Sequence, residues 1–133
     1  MQKFSRDSFN VNDAINELMY ESGVIVIENA YNLNDIKEAR EIVNHFADTE
    51  EQKETHFNAE AEASKQIKLQ QRIWNLFGKG DIFSKLISDD IIFSLISKLL
   101  GSEFFCGSYC ASRLLPGSLG QELHIDYPYW DFY

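Results

Sequence analysis

His124 and Asp126 lie two residues apart in "QELHIDYPYWDFY" (121–133), an apolar and aromatic stretch. On a strand, side chains two apart leave the same face with their Cα atoms roughly 7 Å apart. An imidazole and a carboxylate so placed can converge on one ion, and the pair suits a divalent first-row metal. With a second histidine it becomes the facial triad that holds non-haem Fe(II) and leaves positions open. By itself, H-x-D is a weak signal, and a solvated histidine beside an aspartate is the default reading.

The elements that must position this pair follow from periodicity. "NVNDAINELMYESG" (10–23) has Val11, Ile15, Leu18 and Met19 at helical spacing, with Asn12 as N-cap and Gly23 as the stop. "VIVIE" (24–28) reads as a strand buried on both faces. "NLNDIKEAREIVNHFAD" (32–48) reads as an amphipathic helix with Leu33, Ile36, Ile42, Val43 and Phe46 on one side. Residues 49–66 are acidic and poor in large apolar side chains, which implies a solvated loop or frayed helix, or else a lid. "IKLQQRIWNLF" (67–77) reads as a strand, and 81–101 as two helices closed by Lys98 and Gly101. Beyond Gly101 the pattern turns to strand. "EFFCGSYCASRLL" is β-prone, "PGSLG" signals a turn, and "QELHIDY" alternates.

Composition bounds the possibilities. A chain of 133 residues, 44% hydrophobic and 14% aromatic, suits one globular domain over 1–133 rather than disorder. Twelve basic against 21 acidic residues leave a net charge of −9, which disfavours nucleic acid or an anionic membrane as partner. No apolar stretch follows Met1, and "IIFSLISKLLG" (91–101) is too short and too interrupted to span a bilayer. A soluble, cytoplasmic protein is expected. Cys106 and Cys110 fit that compartment as buried free thiols.

The segment "RLLPGSLGQELHIDYPYW" (113–130) resembles the phytanoyl-CoA dioxygenase family, Fe(II)/2-oxoglutarate oxygenases built on a jelly-roll barrel. "RIWNLFGKGDIFSKLISDDIIFSLISKLLG" resembles that family's helical approach to its barrel, and "ESGVIVIENAYNLNDIKEAREIV" its opening helix, strand and helix. The resemblance implies that His124 and Asp126 are the first two iron ligands. It also implies 2-oxoglutarate as cosubstrate, hydroxylation of a small organic molecule, and a pocket lined by Tyr127, Tyr129 and Trp130. Arg72 and Ser112 could reach a 2-oxoglutarate carboxylate, although ordinary strand polarity explains them more simply. Gln121 could hold a water beside the metal or be plain surface.

The family's second ligand histidine and its 2-oxoglutarate arginine follow the H-x-D strand, and no counterpart stands here; His45 and His56 are both upstream. The expected fold is therefore α+β, N-terminal helices packed on the first half of a jelly roll. Such a chain would bind iron weakly and be inactive by itself, which leaves its standing as an enzyme open. The alternative is a non-catalytic remnant or fragment that self-associates as a homo-oligomer through its uncovered aromatic rings and strand edges.

Overall fold

The computed structural model describes residues 1–51, 69–121 and 123. Among these the architecture is mixed α+β, with four α-helices and two two-stranded sheets. Strand β1 (Gln2–Ser5) passes through a 3-10 turn (Arg6–Ser8) into helix α1 (Val11–Tyr20), and β2 (Ile25–Glu28) and α2 (Leu33–Thr49) follow. Strand β3 (Gln70–Ile73) and a 3-10 turn (Leu76–Gly78) lead to α3 (Asp81–Ile87), α4 (Asp90–Leu100) and β4 (Ala111–Leu114). No barrel or jelly roll is seen among the described residues.

Strands β1 and β2 pair in parallel, Phe4 opposite Ile27, with α1 as the crossover that parallel pairing demands. The spacing of α1 is as periodicity requires, with Ala14 fully buried, but two details differ. The cap is Asn10, not Asn12. Asn10 Oδ1 accepts from the backbone N–H of Asn12 at 2.9 Å and of Asp13 at 3.3 Å, which satisfies donors that the helix cannot. Met19 is exposed. Strand β2 is half-buried rather than buried on both faces, because its described sheet contains one partner and α1 covers one side.

On α2, Ile36, Ile42, Val43 and Phe46 face the core as their spacing implies. Leu33 does not; it begins the first turn and is 84% exposed. Helices α3 and α4 match their expected span. Asp89 caps α4 by accepting from Ile91 N–H at 3.0 Å, Lys98 stands in the last turn, and Gly101 closes it at φ 90°. The β-prone stretch from 103 is strand over Ala111–Leu114, since β3, its partner, is itself four residues long. Residues 103–110 have no regular structure. The thiols are free, but neither is buried, and Cys106 is exposed. Of the acidic stretch, residues 52–66 lie outside the described residues.

Two apolar clusters result. One joins Phe4, Ala14 and Leu95, so that α4 closes the β1–α1–β2 unit. The other joins Ala47, Ile73, Leu76, Ile82, Phe83 and Leu86, so that α3 closes the unit of α2, β3 and β4. Polar ties bridge the units. Arg6 donates to Ala30 O at 2.6 Å and pairs with Asp89 at 2.7 Å; Tyr31 Oη donates to Leu86 O at 3.1 Å. Within the second unit, Lys85 of α3 pairs with Asp35 of α2 at 2.7 Å. The Arg6 hydrogen bond holds the Asp89 carboxyl below its usual range, while burial raises the Tyr31 phenol.

Ile73 is fully buried, so Ile73→Ala should destabilise the fold by roughly 3 kcal/mol in chemical denaturation. Exposed Lys3, paired with Glu28, should be replaceable by Met within about 0.5 kcal/mol.

Acid should also be destabilising. Hydrogen bonds from Arg113 and Arg6 lower the pKa values of Asp48 and Asp89 in the folded state. Their contribution is present above the unfolded carboxylate pKa of about 3.9 and is lost as pH falls through the folded values. Thermal melts should therefore change little from about pH 7 to 5 and fall steeply below about pH 4. Asp89→Asn should flatten that fall, and an unchanged profile in this variant would refute the assignment.

Candidate functional site

The site is built on the sheet of β3 and β4. These strands run antiparallel, with Gln71 opposite Arg113 and Arg72 opposite Ser112. The pairing continues past both ends, through Leu76 N–H to Tyr109 O at 3.1 Å and Leu115 N–H to Leu69 O at 2.8 Å. Side chains alternate between faces. Ile73 and Ala111 enter the apolar cluster against Ala47 of α2, and Gln71 Nε2 donates to Ala47 O at 3.0 Å.

Arg113 is on that same α2-facing side and was not singled out by its sequence context. Its Nε donates to Gln71 Oε1 at 2.6 Å, its Nη1 to Asn44 Oδ1 at 3.2 Å, and its Nη2 pairs with Asp48. This hydrogen bond lowers the Asp48 pKa. No local pattern marks Arg113, because Asn44 and Asp48 are 69 and 65 residues away along the chain.

The other face carries Arg72 and Ser112. Sequence context favours ordinary strand polarity for both and leaves a carboxylate-binding role open, and the ladder makes them cross-strand partners, with Arg72 Nε donating to Ser112 Oγ at 3.4 Å. The Arg72 guanidinium lies 5.2 Å from the centre of the half-exposed Trp74 ring. Arg72 and Trp74 line a shallow cleft of about 370 Å³ with Glu50 and Glu51. Glu50 is ion-paired to Lys79, which offsets its charge there. A guanidinium and a hydroxyl are donors that suit a carboxylate, so the donor chemistry of Arg72 and Ser112 fits the tail of a dicarboxylate, with the Glu51 carboxylate in the same cleft opposing it.

Strand β4 leaves the sheet through a turn over Leu115–Ser118. Ser118 N–H donates to Leu115 O at 3.0 Å, Pro116 occupies the second position and Gly117 the third at φ 89°. This is a type II turn, and only a residue able to take positive φ fits its third position. The turn sends the chain toward the H-x-D segment. His124, Asp126, Tyr127, Tyr129 and Trp130 themselves lie outside the described residues. Gln121 is exposed. An imidazole and a carboxylate are donor types that Fe(II) accepts, so His124 and Asp126 fit such an ion as two of its ligands.

Of the other histidines, His45 is exposed on α2 with its ring edge-on to Phe46 at 5.1 Å, and His56 lies outside the described residues. Among the described residues no three His, Cys, Asp or Glu side chains are grouped to hold a metal, and no helix is long and apolar enough to cross a membrane. A second polar cleft, of about 380 Å³, is lined by Arg6, Tyr31, Asp35, Lys85 and Asp89, and contains the Arg6–Asp89 and Lys85–Asp35 ion pairs.

Compared with protein families, curated proteins and solved structures, the chain has no match.

Proposed function

We propose that this chain carries the His–Asp half of an Fe(II) site in an oxygenase of the phytanoyl-CoA dioxygenase type. In this reading β3 and β4 are strands of the jelly-roll sheet, and His124 and Asp126 hold the ion. Arg72 and Ser112 take the distal carboxylate of 2-oxoglutarate, and Tyr127 and Trp130 flank a small organic substrate. The observation that carries the proposal is the Arg72–Ser112 pair. Two residues 40 apart in sequence, each suited to a carboxylate, meet on the sheet face away from α2, and Ser112 stands on the strand that leads into H-x-D.

Bound Fe(II) would activate O₂, the oxidant, for hydroxylating an unactivated C–H bond, with 2-oxoglutarate as the co-reductant that is oxidised to succinate and CO₂. The chain's own residues bind and orient. Arg72 offers a guanidinium whose planar fork matches a carboxylate, and Ser112 adds a hydroxyl donor beside it. Trp74 lies against Arg72 on one side, its ring face attracting the guanidinium. The free cysteines suit a reducing, cytoplasmic setting.

Fe(II) or Co(II) titration should show weak binding, since two protein ligands leave the ion mostly hydrated. His124→Ala and Asp126→Ala should each abolish it. The 133-residue chain should show no O₂ uptake coupled to 2-oxoglutarate decarboxylation, as no histidine follows His124 within it. Metal binding indifferent to His124→Ala would sink the proposal, and coupled uptake lost in that variant would show a complete site.

Trp74 gives an independent test of the cosubstrate end. In a Trp130→Phe background, which leaves Trp74 as the remaining tryptophan, 2-oxoglutarate should change its fluorescence saturably, because a carboxylate at Arg72 alters the charge over the ring. Arg72→Met should weaken that response by roughly tenfold or more, the loss of one charge-assisted hydrogen-bonded contact. An equal response in wild type and Arg72→Met would remove Arg72 from the site.

A further inference from the structure

A groove of about 450 Å³ runs along α4 and the segment after it, lined by Phe77, Phe93, Ile96, Leu100, Phe104 and Phe105, with Cys106 at its edge. It is preformed. Phe93 and Phe104 pack ring to ring at 5.2 Å, and Phe77 is held edge-on by Tyr109 at 5.3 Å. Yet no described residue covers the lining: Phe77, Phe93 and Phe105 are 46%, 56% and 89% exposed. Scattered exposed apolar residues need no explanation, but a contiguous aromatic groove does.

We propose that this face is a two-fold interface between two copies of the chain. At roughly 200 Å² for a phenylalanine, the exposed parts of these three rings come to about 400 Å², and Leu100 adds to them. A standard interface buries about 800 Å² per partner, and the apolar share of homodimer interfaces, near 65%, is about 500 Å². The patch is thus close to what one protomer of a stable dimer contributes.

A two-fold contact uses the same patch on both molecules, so that patch must present both a projection and a receptacle. Phe105 projects, and the groove between Phe77, Phe93 and Leu100 receives. The Phe105 ring of each copy fills the groove of the other. A small apolar ligand would fill the groove and leave the outer face of Phe105 in water. The net charge of −9 on each copy opposes association, so salt strengthens the dimer by screening, the reverse of a contact made by opposite charges.

Sedimentation velocity at several concentrations, at low and high salt, reads the association directly. We expect a concentration-dependent monomer–dimer equilibrium that tightens with salt, and a Kd raised roughly tenfold or more by Phe105→Glu. Because Phe105 is exposed, that variant should keep the wild-type circular dichroism and melting temperature. A second measurement does not depend on the variant. In a Cys110→Ser background, a short bismaleimide should join Cys106 to Cys106 of the second copy at concentrations where the dimer forms. A concentration-independent monomer overturns the inference. So does a dimer unaffected by Phe105→Glu and not joined through Cys106, which would put the contact elsewhere on the chain. A monomer whose groove binds an apolar dye, with binding lost in Phe105→Glu, would make the groove a ligand site instead. None of these outcomes depends on metal or 2-oxoglutarate.

Discussion

The Arg113 guanidinium fixes the geometry on which the rest of the candidate site depends. Its three nitrogens are divided among Gln71 on the neighbouring strand and Asn44 and Asp48 on α2. One side chain thereby joins β4 to β3 and joins their sheet to the helix beneath. Side chains alternate along a strand, so committing Arg113 and Ile73 to the α2 side commits Ser112 and Arg72 to the other. A slip of one residue would reverse both sets, leaving a guanidinium against the apolar cluster and Ile73 in water. Apolar burial and a charge-assisted hydrogen-bond network therefore enforce the same register. Neither would specify it as firmly alone, since a sheet of two four-residue strands has little stability of its own.

The same logic extends to the other half of the molecule. The parallel pair β1 and β2 cannot stand without cover, and α4 supplies it through Leu95 while α3 covers the second sheet through Phe83 and Leu86. Two helices joined by Ser88 and Asp89 thus serve two separate apolar clusters. Asp89 has a double role, capping α4 and accepting the ion pair from Arg6. This places a carboxylate between the units, where its loss of charge would loosen both the helix start and the tie to the first unit.

The helices were legible because each carries its own evidence within one turn of its ends. Asp89, Asp90, Lys98 and Gly101 delimit α4 from sequence alone, and the apolar period of α2 shows its buried side. What escaped was non-local. Strand β1 has a single large apolar residue, Phe4, and becomes a strand because Ile25–Glu28 offers it a partner. The aromatic stretch from 103 has β-propensity throughout, yet strand forms where four residues of β3 are available to pair. The Pro116–Gly117 turn was legible, since its chemistry is contained in adjacent residues. Arg72 and Ser112 were each visible as polar strand positions, but their meeting depends on a register set by Arg113, whose acceptors on α2 no local pattern reveals. His124 and Asp126 were legible as chemistry without being legible as place.

The proposed ligation of one metal ion by His124 and Asp126 is tested by X-ray absorption at the cobalt edge of the Co(II)-loaded chain. The expected spectrum has a shell of light N/O donors with scattering from one imidazole, and that imidazole signature is lost in His124→Ala. An imidazole signature that survives in His124→Ala, and disappears in His45→Ala or His56→Ala, would contradict it.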